Sequence, residues 1–275
     1  MTMDDAVGGP AVRLTEVQDR IGILTMNRPE RRNALNGALV GALDVAVKQM
    51  AADPEVKVVV LTGAAPDGAS GGFCSGGDVK DPSGAGMELA VPEGALDGDL
   101  SRHDTHAAML LHLMPKPTIA MIGGPAIGAG LSLAGACDLR YASHDAVFSA
   151  GFAPNGLSGD YGGTIFWTRI LGTGGARELY LCNERLTASQ AHARGMVHAV
   201  VPAAELRDHT LAVARRIAAI PGPVLARIKA NLNEAEDDPD RRRFLFAHEA
   251  TNQIEVARLA RERVAQRANR DGVAR

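Results

Sequence analysis

Apolar residues recur along the first half of the chain with two different spacings. Short apolar stretches on either side of Asp19-Arg20 predict a hairpin of two strands, over 12–18 and 21–26. Four apolar residues then fall on one helical face and predict a helix over 36–52: Leu39, Leu43, Val47 and Met50. Short apolar runs predict further strands, buried ones over 56–61 and 118–122 and another over 139–142.

Helical patterns alternate with these strands and then dominate the chain. The sequence predicts helices over 104–114 and 131–136, and after Gly162 three more, over 206–220, 223–235 and 240–269. A stretch rich in Gly, Pro, Ala and Asp covers 63–98, and so long a loop in a compact domain is usually functional or mobile. The alternation predicts an α/β spiral with a helical C-terminal part.

Composition and charge narrow the classes of function. The chain has 275 residues, 46% of them apolar, and a net charge of −3, which disfavours binding to nucleic acid or to an anionic membrane. No apolar run approaches the ~18 residues of a membrane span, and the N-terminal residues lack the pattern of a signal peptide. The widely spaced Cys74, Cys137 and Cys182 predict reduced thiols, and hence a cytoplasmic protein.

Two glycine-rich segments are the strongest candidates for chemistry. The first, 71–80, leaves backbone N–H groups open to a ligand, although an ordinary surface turn would have the same composition. The second, 123–130, follows a buried strand and opens a helix, whose first N–H groups lack intrahelical partners. A dinucleotide loop would need Gly or Ala where Leu133 stands, and no Gly-Lys-Ser/Thr follows for a phosphate loop. A pair of N–H donors for a single oxygen fits better.

Together these segments resemble the enoyl-CoA hydratase/isomerase (crotonase) family. The likeness runs in register from about residue 12 to 235 through four motifs, at 27–35, 73–78, 116–139 and 186–202. It implies a crotonase-like spiral of ββα units with a helical C-terminal region. The expected division is a flexible N-terminus over 1–11, the spiral core over 12–202 and a helical trimerisation region over 203–275.

The resemblance also implies a substrate and a set of site residues. The substrate would be an acyl-CoA, with coenzyme A as part of the substrate and no separately bound cofactor. The N–H groups of Gly77 and Ala129 would hold the enolate oxygen, each typically worth ~2.7–4 kcal/mol of barrier. Arg31 and Arg32 would contact the nucleotide end, unless they are simply solvated. The rest of the CoA path would be lined by the residues after Cys74: Ser75, Gly76, Gly77, Asp78, Val79 and Lys80.

The catalytic acids depart from the family pattern. Hydratases that this chain resembles use two glutamates, and Ser132 and Phe152 stand at those positions. Asp160 lies where several isomerases of the family carry an acid, and it precedes a helix, whose N-terminus would favour the ionised carboxylate. One such carboxylate suffices for proton shuttling in isomerisation. The competing interpretation is that Asp160 is only the N-cap of that helix.

Several alternatives remain at this stage. The chain could be a hydratase with rebuilt chemistry, a thioester hydrolase, a C–C lyase, a dehalogenase or a non-catalytic CoA-binding relative. His103 and His106 share a helical face, but no third ligand accompanies them, so no metal site is expected. The family implies a homotrimer or hexamer, and we expect apolar helices such as 206–220 to need burial that a monomer does not supply.

Overall fold

The computed structural model describes residues 11–65, 72–80 and 106–236, and most of 245–266, which are helical. The predicted flexible residues 1–10 and the loop residues 66–71 and 81–105 lie outside the described residues. The strands are β1 (Val12–Gln18), β2 (Ile21–Met26), β3 (Val58–Gly63), β4 (Thr118–Ile122), β5 (Ala126–Ile127), β6 (Leu139–Ser143), β7 (Val147–Ser149), β8 (Leu186–Thr187) and β9 (Ala199–Val201). The described helices are α1 (Gly37–Ala52), α2 (Ala107–Leu113), α3 (Ala129–Ala136), α4 (Gly163–Arg177), α5 (Ala188–Ala193), α6 (Leu206–Ala218) and α7 (Gly222–Glu236).

The chain begins with the predicted hairpin. Strands β1 and β2 pair antiparallel, and the turn residues Asp19 and Arg20 have φ values of 56° and 64°. Two left-handed residues in a two-residue loop make the turn whose twist matches that of the flanking strands. The predicted hairpin is therefore confirmed.

A six-stranded sheet forms the centre of the fold. Its strand order is β1-β2-β3-β4-β6-β9, and every pair after the hairpin is parallel. All residues of β3 and β4 are buried, as expected for strands of a parallel sheet covered on both faces. The predicted α/β class with a helical C-terminal region is confirmed.

A second, three-stranded sheet in the order β5-β7-β8 lies beside the glycine-rich segment that opens α3. Strands β5 and β7 pair parallel through Ala126–Phe148 and Ile127–Ser149. Strands of two or three residues are too short to show a sequence period, so the sequence did not predict β5. Their role is to fix the position of residues 126–129 at the start of α3.

Helices cover both faces of the large sheet. Helices α1 and α3 pack on one face, where Leu39, Leu43 and Leu131 are buried. Helix α6 covers the other face with Leu206 and Ala214, which pack with residues of β2, β3 and β4. The expectation that 206–220 needs burial from another subunit is therefore wrong, because its apolar face is covered within the chain.

Helix α7 and the residues after it differ from α6 in which side chains they bury. Val224, Ile228 and Leu232 are 46%, 49% and 60% exposed and recur every four residues on α7. The C-terminal helical segment, residues 245–266, instead buries Glu249 and Gln253. No helix in the described ranges is long and apolar enough to cross a membrane.

Candidate active site

The two glycine-rich segments meet in the folded chain. The backbone N–H of Cys74 donates to the Pro125 carbonyl at 3.0 Å, and the N–H of Ile127 donates to the Cys74 carbonyl at 3.0 Å. Cys74 and Ala126 thereby form an isolated parallel bridge. The sequence predicted an oxygen-binding role for each segment, and the fold brings them side by side.

Three glycines allow this close approach. Gly76 has φ +97°, and a Cβ there would lie 3.0 Å from the Ile127 carbonyl oxygen. Gly128 has φ +57°, and its added Cβ would lie 3.6 Å from the Gly76 Cα. At Gly130 a Cβ would come within 2.2 Å of the Cys74 carbonyl oxygen, so any larger residue would push the segments apart.

The residue after each of the first two glycines offers a backbone N–H. The Leu35 N–H donates to the Gly76 carbonyl and the Asp78 N–H donates to the Leu35 carbonyl, both at 2.8 Å. This parallel pairing uses the neighbours of Gly77, so the Gly77 N–H points away from Leu35. Ala129 is the first residue of α3, where N–H groups have no intrahelical acceptor. The two donors therefore lie on adjoining segments.

Asp160 lies in the loop before α4, close enough to Cys74 of the first segment for its charge to act on that thiol. The residue is partly buried, but its Oδ1 is fully buried and has no hydrogen-bond partner among the residues that the structure describes. Burial raises the pKa of the Asp160 carboxyl well above its usual value, and the negative charge of Glu249 raises it further. The prediction that the helix N-terminus favours the ionised form is therefore wrong in direction. Burial outweighs the dipole.

The N-cap interpretation of Asp160 is also wrong. The N-cap of α4 is Gly162, with φ 71°, and no side chain caps the helix from that position. Glu249, from the C-terminal helical segment, accepts instead from the backbone N–H of Thr164 at 2.9 Å and from its hydroxyl at 2.5 Å. The carboxyl group of Asp160 is thus not used for capping.

Ser132 and Phe152 lie beside the second segment. Ser132 is fully buried one turn into α3, and its hydroxyl lies 3.4 Å from the Gly128 carbonyl oxygen. A Cβ on Gly128 would be 3.9 Å from the Phe152 ring, which stacks on Tyr180 with centroids 6.0 Å apart. Neither side chain supplies a carboxylate.

The expected CoA-contacting residues form two groups. Asp78 is buried and pairs with Arg28 at 3.1 Å and with Arg31 at 3.2 Å, so Arg31 already has an anionic partner. Ser75 is tied to the same region, since its N–H donates to the Arg32 carbonyl at 3.1 Å. The sequence did not single out Arg28.

The second group of expected CoA-contacting residues is exposed. Val79 is exposed, and Arg32 and Lys80 are exposed without an ion-pair partner among the described residues.

The Asp78 pair leads to a testable stability prediction. Asp78→Asn leaves Arg28 without its counter-ion, and we expect it to lower the free energy of unfolding by about 2–3 kcal/mol at neutral pH. Burial raises the pKa of Asp78, but the hydrogen bonds from Arg28, the Lys80 N–H and Arg31 together lower it below its usual value. The carboxylate therefore stabilises the fold above the unfolded-state pKa of ~3.9, and this contribution is lost as the pH falls through the folded-state pKa.

Denaturant titrations of both proteins over a pH series measure this difference. Asp19→Asn is the matched control, because its ion pair with Arg215 is about half exposed and we expect at most ~0.5 kcal/mol. Equal effects of the two substitutions would contradict a special role for the buried pair.

His106 is buried at the start of α2, while His103 lies outside the described residues. Neither ring nitrogen of His106 has a hydrogen-bond partner in the described part of the chain, and the ring lies 5.8 Å from that of Tyr161. Burial, and then the charge of Lys48, lower its pKa, so the ring is neutral at pH 7. The described residues contain no group of three or more His, Cys, Asp or Glu placed to hold a metal ion.

All three cysteines are free thiols. Cys74 and Cys137 are buried, and burial raises the pKa of each thiol to about 12. The charge of Asp160 adds to this effect at Cys74, which places the carboxyl close to the first segment. Cys182 is exposed, in the turn of helix that follows α4.

Comparison with known proteins agrees with this architecture. The family model described as enoyl-CoA hydratase/isomerase matches residues 16–262. The chain therefore belongs to the enoyl-CoA hydratase/isomerase family, as its resemblance to that family predicted.

Individual relatives carry different names within this family. A 1,2-epoxyphenylacetyl-CoA isomerase of Escherichia coli (strain K12) is 35% identical over 223 residues, or 81% of this chain and 82% of that protein. A probable mitochondrial enoyl-CoA hydratase of Dictyostelium discoideum is 34% identical over 80% of this chain and 74% of its own length. The crystal structure of an enoyl-CoA hydratase from Mycobacterium avium subsp. paratuberculosis K-10 has a TM-score of 0.76, at 29% identity, over 92% of this chain and 95% of the other.

Proposed function

We propose that the protein is an enoyl-CoA isomerase in which one carboxylate, that of Asp160, moves the proton. The observation that carries the proposal is the buried Oδ1 of Asp160, which has no hydrogen-bond partner among the described residues and lies close enough to Cys74 of the first glycine-rich segment for its charge to act on that thiol. Buried polar atoms without partners are rare and often mark functional sites. Burial raises the pKa of this carboxyl well above its usual value, so its ionised form is a stronger base than an exposed aspartate.

The proposed reaction follows from the two donors and the acid. A 3-enoyl-CoA would place its thioester oxygen against the N–H groups of Gly77 and Ala129. The Asp160 carboxylate would take a proton from C2, and the electron pair would delocalise over C2 to C4 and onto the thioester oxygen. The same carboxyl would then return the proton to C4, which gives the 2-enoyl-CoA. The oxyanion donors stabilise the negative charge while it is on oxygen.

Hydration is the less favoured reaction at this site. It requires both the activation of a water molecule and the protonation of carbon, for which hydratases of the family use two glutamates. Ser132 and Phe152 occupy those positions, and a buried hydroxyl or a phenyl ring supplies no basic group at pH 7. The relatives include both hydratases and isomerases by name, so the choice rests on these side chains.

The CoA moiety would lie along the surface between Arg32 and Lys80. Both side chains are exposed without ion-pair partners among the described residues, so they are available to phosphate groups. Ser75, Gly76 and Val79 would contact the pantetheine arm. We propose a supporting role for Arg31 and Asp78, because they neutralise each other beneath this path.

A second candidate substrate is an acyl-CoA with an oxygenated ring. The Tyr161 hydroxyl is buried without a hydrogen-bond partner among the described residues, and the buried Tyr180 hydroxyl lies beside that of Ser132. The charge of Asp160 acts on both tyrosines. An oxygen on the acyl group would satisfy such donors, and the stacked Phe152–Tyr180 pair offers an aromatic wall. The relative named 1,2-epoxyphenylacetyl-CoA isomerase makes this class worth testing.

An activity screen over three substrate classes tests the proposal. We expect conversion of a 3-enoyl-CoA to a product of unchanged mass with the absorbance of a conjugated enoyl thioester. A 2-enoyl-CoA that gained the mass of water would show hydration instead and would contradict the proposal. Rearrangement of a ring-epoxide acyl-CoA, without activity on the 3-enoyl-CoA, would favour the second candidate.

We further propose a cytoplasmic homotrimer or hexamer, as expected from the family. The exposed stripe of Val224, Ile228 and Leu232 on α7 supplies an apolar face for contacts between subunits. The free thiols agree with a reducing compartment.

Disruption of this stripe tests the assembly. We expect Ile228→Asp to shift the protein toward smaller species in multi-angle light scattering, because a charge would be buried at the interface. Asn231→Asp, at an exposed position on the same helix, is the matched control and should leave the mass unchanged. A monomeric unsubstituted protein would contradict the assembly.

A further inference from the structure

The loop that carries Asp160 is held from the far end of the chain. The side-chain Oε1 of Gln253 accepts from the backbone N–H of Ser158 at 2.7 Å and of Gly159 at 3.0 Å. It also accepts from the Ser158 hydroxyl at 3.2 Å. Gln253 is only 2% exposed, so these bonds form away from water. The two residues immediately before Asp160 are therefore fixed by one side chain of the C-terminal helical segment.

Glu249 holds the other side of Asp160. Its Oε1 accepts from the N–H and hydroxyl of Thr164, and the Gly162 N–H also hydrogen-bonds to its carboxylate. A Cβ on Gly159 would lie 3.3 Å from the same Oε1, so the carboxylate lies against the loop itself. Glu249 and Gln253, one turn apart on the C-terminal helical segment, thus hold the chain before and after Asp160.

We propose that Glu249 and Gln253 are positioning residues of the active site, which fix the loop over 158–164 that carries Asp160. Glu249 also lies close enough to Asp160 for its negative charge to add to the effect of burial on that carboxyl's pKa. The inference rests on the proposed function, because it assumes that Asp160 carries the proton. It assigns a positioning role to the C-terminal helical segment, which the sequence analysis assigned only to trimerisation.

The electrostatic effect on the pKa of Asp160 depends on which of its neighbours are charged. Cys74, Tyr161 and Tyr180 all interact with it, but burial raises the pKa of each, so all three are neutral at pH 7. Glu249 is the acid whose charge acts directly on Asp160. Burial raises the pKa of Glu249 too, while its bonds to Thr164 and Gly162 lower it. Asp44 is also near, through its effect on Tyr161.

Substitutions at Glu249 and Gln253 separate the effect of charge on Asp160 from the effect of loop position. Glu249→Gln keeps an oxygen that can accept from Thr164 but removes the negative charge. The Asp160 pKa should then fall, so the acid limb of the kcat/KM profile should move to lower pH. Gln253→Glu keeps the acceptor for Ser158 and Gly159 but adds a charge, and should move the acid limb to higher pH. A merely structural role would not shift the two limbs in opposite directions.

Position alone is tested by Glu249→Ala, which removes both the charge and the acceptor. We expect kcat for 3-enoyl-CoA to fall by ~100-fold while KM stays within a few-fold, in line with misplacement of a catalytic group by about 1 Å. Glu249→Gln should retain most of the kcat of the unsubstituted protein. Glu255→Gln and Asn252→Ala, at exposed positions of the same helical segment, are the matched controls and should match the unsubstituted protein.

The outcomes distinguish this inference from the proposed function. The inference is wrong if Glu249→Gln and Gln253→Glu have the same pH profile as the unsubstituted protein and Glu249→Ala has the same kcat. This holds whether or not Asp160 carries the proton. Should all variants lose activity together with their thermal unfolding transition, the residues are structural and the inference also fails. If Asp160→Asn retains activity, the proposed function fails first and the positioning role fails with it.

Discussion

Asp160→Asn is expected to lower the rate of 3-enoyl-CoA isomerisation by at least ~1000-fold, within the range that general acid–base catalysis contributes. The amide has nearly the shape of the carboxyl group but cannot accept a proton from carbon at neutral pH. Because the side chain of Asp160 neither caps α4 nor forms an ion pair in the described structure, the fold should tolerate the change. Substrate affinity should remain within a few-fold.

The measurements are single-turnover isomerisation, acyl-CoA binding by calorimetry and thermal unfolding. Asp145→Asn, an exposed aspartate in the turn between β6 and β7, is the matched control and should be fully active. Loss of binding or of the folded state in Asp160→Asn would indicate a structural role. Full activity would exclude Asp160 as the proton carrier and direct attention to His103 and to His106, whose buried ring nitrogens have no partner among the described residues.

Gly77→Pro should lower turnover by at least ~100-fold, the loss typical of one oxyanion-hole donor. Proline removes the backbone N–H that would bind the thioester oxygen, and its ring constrains a segment that pairs with Leu35. The effect should appear mainly in kcat, because the charge on oxygen develops in the transition state.

The control for this change is Gly77→Ala, which keeps the N–H. It should lose much less activity than Gly77→Pro, provided that circular dichroism and thermal unfolding show both variants folded. Unchanged turnover in Gly77→Pro would mean that this N–H does not bind the oxygen. Equal losses in both variants would assign the effect to distortion of the loop.

The sequence predicted the elements whose signals are local. The hairpin at Asp19-Arg20 and helix α1 follow from turn residues and apolar spacing, and both appear at nearly the predicted bounds. The contact between the two glycine-rich segments came from the family resemblance and from the order of motifs. The structure adds its cause, which is the bridge between Cys74 and Ala126.

What the sequence did not predict depends on contacts between distant parts of the chain. The direction of the Asp160 pKa shift was wrong because a helix end is visible in the sequence, whereas burial and the approach of Glu249 are not. Helix α6 was assigned to a subunit interface because its apolar face gives no sign of its partner, and that partner is the large sheet. The hydrogen bond between Gln253 and Ser158 joins residues far apart in the chain, so no local sequence motif indicates it.

The distribution of the cysteines makes the protein convenient for site-directed labelling. Thiol reagents attack the thiolate, and the two buried cysteines have pKa values near 12, so they react very slowly at neutral pH. Cys182 is the exposed thiol. A maleimide dye would therefore attach there in the native protein without mutagenesis, at the end of the helix that begins just after Asp160.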